Sequence, residues 1–205
     1  MGREEKHMEQ LILEAAEKLF LEQGFEKTTT GQIANVAGCN QALVHYYYRT
    51  KNNLFDRIFE EKIRMVASRL LSIGLDGITI EEKVTQIICT HFEVFRENPR
   101  LAPFLIKEVL SDPDKFDYLI EKLKHYPESV LLQLDKDLEE SAGKGLIRPA
   151  RAADLMLTIM SLNITPFLLK PMLQKGLDIP EEEFQKILEH RKQETITTVL
   201  ARLKV

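Results

Sequence analysis

Apolar residues recur at every third or fourth position along almost the whole chain. Met8, Ile12, Ala15, Ala16, Leu19 and Phe20 form the first stripe, with the spacing of one face of an α-helix. The stripe ends at Gln23-Gly24-Phe25. There Gly24 can take the left-handed position after a helix, and Phe25 can fold back on Phe20. Thr29-x-x-Gln32 reads as a capping box and opens a short second helix that Gly38 ends. Asn40 caps a third helix, Gln41 to about Tyr47, and Thr50 caps a fourth. The fourth carries Leu54, Phe55, Ile58, Phe59, Ile63 and Val66 and runs past Leu70.

Longer helices follow. Thr79-x-x-Glu82 starts one with Val84, Ile88, His91, Phe92 and Phe95 on one face, and Asn98-Pro99 stops it. Another is expected from about Leu101 to Leu110. The next begins at Asp112-Pro113 and reaches Leu138, kinked or split by Pro127. The last two run from about Ala150 to Leu169, disturbed by Pro166, and from Pro180 to about Leu203. No stretch shows a strand period, so the expected class is all-α. Residues 1–50 form a helix-turn-helix unit. The fourth helix joins it directly to a larger helical domain, residues 51–205, with no Pro/Gly/Ser-rich linker between them.

The helix-turn-helix spacing has physical content. Ala34 is small enough for two helices to cross closely, Gly38 can take the positive φ of a sharp turn, and Val44 and Tyr48 face the first helix. Gln41, Ala42 and His45 are left on another face with nothing large and apolar among them. Such a face suits the major groove of DNA.

Charge sharpens this picture. The chain has a net charge of −4, yet no Asp or Glu lies between Glu26 and Asp56. That window holds Lys27, Arg49 and Lys51, and three of the five tyrosines, Tyr46, Tyr47 and Tyr48. A surface laid against phosphates must shed carboxylates, and tyrosine hydroxyls bond phosphates without adding charge. Lys51, in the first turn of its helix, opposes the helix dipole unless an anion binds there.

The run AAEKLFLEQGFEKTTTGQIANVAGCNQALVHYYYRTKNNL carries these features in fixed register. From about Leu11 to Leu54, roughly a quarter of the chain, it resembles the N-terminal domain of the TetR family of transcriptional regulators. The resemblance implies that Thr30 contacts phosphate and that Gln41, Ala42, Leu43, His45 and Tyr46 face the groove. It also puts Tyr46, Tyr47 and Lys51 at phosphate-contact positions. The chain departs from the pattern at Asn40, Ala42 and Leu43, and at Asn52-Asn53, where the family often has two acids. Leu43 suits a thymine methyl, and the missing acids suit a nearby phosphate.

For the larger domain the family implies a ligand pocket and a homodimer formed by the helices near 150–169 and 180–203. The corresponding function is a regulator, by expectation a repressor, released from a palindromic operator by a small molecule. Candidate pocket residues are His91, Phe95, Phe104, Tyr118, Tyr126, Met156, Met160 and Asn163. His91 reads more readily as a satisfied core histidine, and Asn163 as the partner of a carbonyl freed by Pro166 or of a group across a dimer interface. Most of the others are equally suited to plain core.

The two distant cysteines, Cys39 and Cys89, outline no disulfide framework. The charged N-terminus is unlike a signal peptide. The run Leu155–Leu169 is shorter than a membrane span. A cytoplasmic protein without a membrane segment is expected. The histidines lack metal-ligand spacing, and no catalytic motif, cofactor loop or metal site is found. The alternatives are a DNA-binding dimer with no effector and, further off, a small helical enzyme or lipid carrier.

Overall fold

A computed structural model of the chain describes residues 2–73, 77–111, 117, 121 and 124–205, apart from the side chains of 2–5, 108–111, 125–127, 129 and 130. The Asp112-Pro113 helix start and Tyr118 therefore lie outside the described residues, as does the side chain of Tyr126. The helices are α1 (Gly2–Gln23), α2 (Thr30–Ala37), α3 (Gln41–Tyr48), α4 (Lys51–Leu71), α5 (Ile80–Glu97), α6 (Leu101–Ser111), α7 (His125–Gly143), α8 (Ala152–Pro171) and α9 (Glu181–Leu203). A π-helical turn, Met172–Gly176, follows α8. No strand occurs among the described residues, and the fold is all-α.

Two compact units form. One comprises Met1–Arg64 with Phe104–Leu123, the other Met65–Pro103 with Lys124–Val205. The first half of α4 carries part of the first unit's core. Leu54, Phe55 and Ile58 are buried there with Ile12, Ala16, Phe20 and Ile33. Phe55 has its ring centroid 5.9 Å from Phe20, 5.1 Å from Phe25 and 5.6 Å from Phe104.

The local signals act as their residue types require. Gly24, at φ 86°, ends α1, its N–H donates to the Phe20 carbonyl at 2.9 Å, and the Phe20 and Phe25 rings meet at 5.6 Å. Thr29 and Gln32 form a reciprocal capping box, and Gly38 is left-handed at φ 71°. The Asn40 side chain accepts from the Leu43 N–H at 2.9 Å, and the Thr50 hydroxyl from the Asn53 N–H at 3.1 Å.

Lys51 has a structural part that its charge and helix position do not reveal. Its ammonium turns inward and donates to the carbonyls of Phe25 and Thr28, both at 3.0 Å. It also sits 4.1 Å above the Phe25 ring. The turn after α1 exposes carbonyl oxygens that no helix uses, and a cation answers them better than a neutral donor.

The second unit has an aliphatic core from α4, α5, α7, α8 and α9, including Leu70, Val84, Ile88, Leu134, Leu138, Leu155, Ile159 and Val199. Lys192 on α9 meets Glu93 on α5 at 3.1 Å. Pro127 falls in the first turn of α7, where no backbone donor is needed. Helix α8 passes through Pro166 without ending. With the π-helical turn it extends over Ala152–Gly176, 25 residues, long and apolar enough by composition to cross a membrane. That exceeds the span expected from the sequence. A helix with a buried core face passes the same test, and Leu155, Ile159 and Phe167 are such a face.

Asn163 on α8 does not serve the carbonyl that Pro166 frees. Its amide nitrogen donates across to the Ile88 carbonyl on α5 at 3.0 Å and approaches His91 Nδ1 at 3.3 Å. A carbonyl can only accept, so the amide's orientation is settled. His91 Nδ1 must then be the acceptor, and the imidazole is neutral with its hydrogen on Nε2. Burial pushes its pKa down to about 4. Asn163 Oδ1 is buried and has no hydrogen-bond partner among the described residues.

Two predictions arise here. Replacing Lys51→Met keeps the apolar stem but removes the ammonium, and should cost about 2 kcal/mol in urea unfolding. Unchanged stability would return Lys51 to a purely external role. His91 titrates near pH 6.5 when unfolded and near 4 when folded. Its contribution to stability is therefore present above about pH 6.5 and is lost as pH falls towards 4. Unfolding at pH 7 and at pH 4.5 should show a loss of about 2–3 kcal/mol that the His91→Phe variant lacks.

Candidate functional site

Helices α2 and α3 cross with Ala34 and Val44 buried between them and the rest of the first unit. The side of α3 turned away from that core carries Gln41, Ala42, His45 and Tyr46, all exposed, with Leu43 and Tyr47 half-buried at its edges. Tyr46 is 73% exposed. Its ring meets that of Tyr47 edge-on at 5.1 Å, which holds two hydroxyl-bearing rings in a fixed relation.

Tyr48, the third of the run, belongs to the core side, as its register requires. Its hydroxyl donates to the Glu9 carbonyl on α1 at 3.2 Å. Burial, with the nearby charges of Glu9 and Glu61, pushes the phenol up to about 12. Cys39 lies half-buried at the turn with a free thiol, and burial pushes that thiol up as well.

Two polar contacts organise the exposed face, and neither was legible from spacing alone. The Gln41 amide nitrogen donates to the Thr30 hydroxyl at 2.7 Å, joining the start of α2 to the start of α3. The His45 ring places Nδ1 3.1 Å from the Arg49 carbonyl. Arg49 itself has φ 60° and ψ −52°, and the Thr50 N–H reaches back to the Tyr48 carbonyl at 2.6 Å. That i to i+2 bond with positive φ is a γ-turn of the rare, strained kind. It bends the chain sharply between α3 and α4.

The side chains of Lys27 and Arg49 are exposed and make no ion pair among the described residues. Thr30 is half-buried at the first position of α2. Lys51, also expected at a phosphate, has its ammonium on the carbonyls of Phe25 and Thr28.

The described candidate pocket residues fall in both units. His91, Phe95 and Asn163 come together: the His91 and Phe95 rings meet at 5.0 Å, and Phe167 stands 6.1 Å from Phe95. Met156 is buried in the aliphatic core. Phe104 belongs to the first unit, 5.6 Å from Phe55. Met160 points outward, 42% exposed, about 100° around α8 from the buried Ile159. A cleft of about 220 Å³ between α8, the π-helical turn and α9 includes Leu162, Pro166, Leu169, Leu173, Ile187 and Arg191. None of the candidates lines it.

Residues 12–58 match the family described as bacterial regulatory proteins, tetR family. The HTH-type transcriptional regulator YhgD of Bacillus subtilis is 24% identical over 149 residues, 68% of this chain and 71% of that one. The fatty acid metabolism regulator protein of the same organism is 25% identical over 91 residues, 44% of this chain and 47% of its own length. Among solved structures, a tetR-family regulatory protein from Rhodococcus RHA1 superposes with a TM-score of 0.71 at 19% identity, covering 94% of this chain and 96% of that one. The transcriptional regulator FadR of Bacillus subtilis, solved with stearoyl-CoA, does so at 0.67 and 17%, covering 91% and 97%. Residues 12–58 thus carry the N-terminal domain of the tetR family of bacterial regulatory proteins, and the chain shares the fold of these solved proteins over almost its whole length.

Proposed function

We propose that the protein is a cytoplasmic, homodimeric DNA-binding regulator, a repressor released from a palindromic operator by a small molecule. The observation that carries this reading is the outer face of α3. It presents Gln41, Ala42, His45 and Tyr46 to solvent, in a window from Lys27 to Phe55 that contains no carboxylate. Hydrogen-bonding groups specify bases, and Thr30, Tyr46, Tyr47, Lys27 and Arg49 hold the phosphates. Lys51 supports them from behind.

The dimer rests on α8. Leu157 (66% exposed), Met160 (42%), Leu169 (40%) and Met172 (54%) leave its outer side apolar, and a second copy of α8 and α9 would cover it. Two-fold symmetry sets the recognition helices roughly 35 Å apart, or a small multiple of that. An effector is favoured over a constitutive dimer by Asn163 Oδ1, a buried acceptor without a partner among the described residues. A ligand bringing an N–H or O–H donor among Phe92, Phe95 and Phe167 would satisfy it. FadR's stearoyl-CoA supports a largely apolar effector. Helix α4 runs unbroken from Lys51 to Leu71 and would carry the response. Coupling of about 1–3 kcal/mol would change operator affinity about 5–150-fold.

The test is enrichment of sheared source DNA on the purified protein, with Tyr46→Ala in parallel. A shared palindrome, weakened in the variant, is the expected result; no enriched site at low salt would end the reading. With Lys27 and Arg49 as the cations of each protomer, log affinity should fall against log salt with a slope of about −3.5. Leu157→Glu should give a monomer in sedimentation and lose operator binding while keeping its helicity. A dimer that survives this change would place the interface elsewhere.

A further inference from the structure

His45 is held in a way that fixes which of its atoms meets the DNA. Its Nδ1 lies 3.1 Å from the Arg49 carbonyl oxygen. That oxygen can only accept, so in the neutral ring Nδ1 carries the hydrogen. Nε2 is then a bare acceptor at the far end of an exposed side chain. Arg49 offers its carbonyl because of its γ-turn, φ 60° and ψ −52°, clamped by the bond from the Thr50 N–H to the Tyr48 carbonyl. The orientation is therefore built into the backbone between α3 and α4.

A bare acceptor facing DNA has few partners. Phosphate oxygens, guanine O6 and N7, and thymine O4 are all acceptors and repel it. The donors in the major groove are the exocyclic amines of adenine and cytosine. Each base pair carries one of these amines, so the acceptor senses which strand bears it. Given the DNA-binding reading above, on which this rests, we propose that His45 is a specificity-determining residue. Through Nε2 it selects an amino base, adenine or cytosine, over a keto base, guanine or thymine, at one position of each half-site on the strand it faces.

Two measurements test this. Imidazole ¹⁵N spectra of the native protein, with the His45 signals assigned by their loss in His45→Ala, should show the neutral ring with its hydrogen on Nδ1. A hydrogen on Nε2 would overturn the proposal without touching DNA binding. Selection from randomised duplexes at about pH 8 is then run with the native protein, His45→Ala and His45→Lys. The native protein should prefer adenine or cytosine at one position per half-site by on the order of 10-fold. His45→Ala should make that position degenerate. His45→Lys, a donor only, should turn it towards guanine or thymine, with the rest of the palindrome retained in both variants. A palindrome in which no position responds to His45, or in which the responding position is a keto base in the native selection, overturns the assignment alone. Failure of the native protein to select any palindrome removes the DNA-binding reading and this inference together.

Discussion

The grip of Lys51 on the carbonyls of Phe25 and Thr28 is the constraint around which the first unit is arranged. Helices α2 and α3 are each only eight residues long, too short to be stable alone. They persist because their ends are capped and the chain on either side is fixed. The ammonium joins the turn that precedes α2 to the first turn of α4, closing a loop around both helices. Phe25 lies beneath it, and the Phe55 ring meets those of Phe20 and Phe25 edge-on behind. A cation at a helix N-terminus is unfavourable by itself. Two carbonyl acceptors and an aromatic face supply the negative potential that the site lacks.

Much of this was legible in advance, since local chemistry decided it. Thr29, Gly38, Asn40 and Thr50 have essentially one role each at their positions, and the caps form where those residues stand. The division of the tyrosines also follows from helical register: Tyr48 falls four residues after Val44, towards the core, and Tyr46 does not. For Lys51 the sequence shows its charge and its place in a helix but not the carbonyls a distant turn brings to it. The same holds for Asn163. Proximity to Pro166 suggested a local partner, while the true partners, on α5, are more than seventy residues away in sequence.

The second unit resisted sequence reading for a different reason. Helix α8 is apolar on two sides, so periodicity could not say which leucines and methionines belong to the core. Met156 and Met160 look alike in the sequence, yet one is 8% exposed and the other 42%. Only packing against α5, α7 and α9 distinguishes them. Phe104 shows the related limit that an aromatic residue on a short helix can be placed only once the long-range fold is known.

The γ-turn at Arg49 bears on how this protein can evolve. A residue with a side chain at φ 60° and ψ −52° stores strain, on the order of 1–3 kcal/mol, which glycine would not. Stability alone therefore favours glycine there. The strain persists beside the carbonyl that orients the His45 ring. Relaxing the hinge would widen the range of backbone geometries open to it and blur that orientation. With His45 reading a base as proposed, robustness and fidelity would pull in opposite directions at this single residue, and a lineage screened only for thermal tolerance would drift towards a sturdier, less discriminating reader.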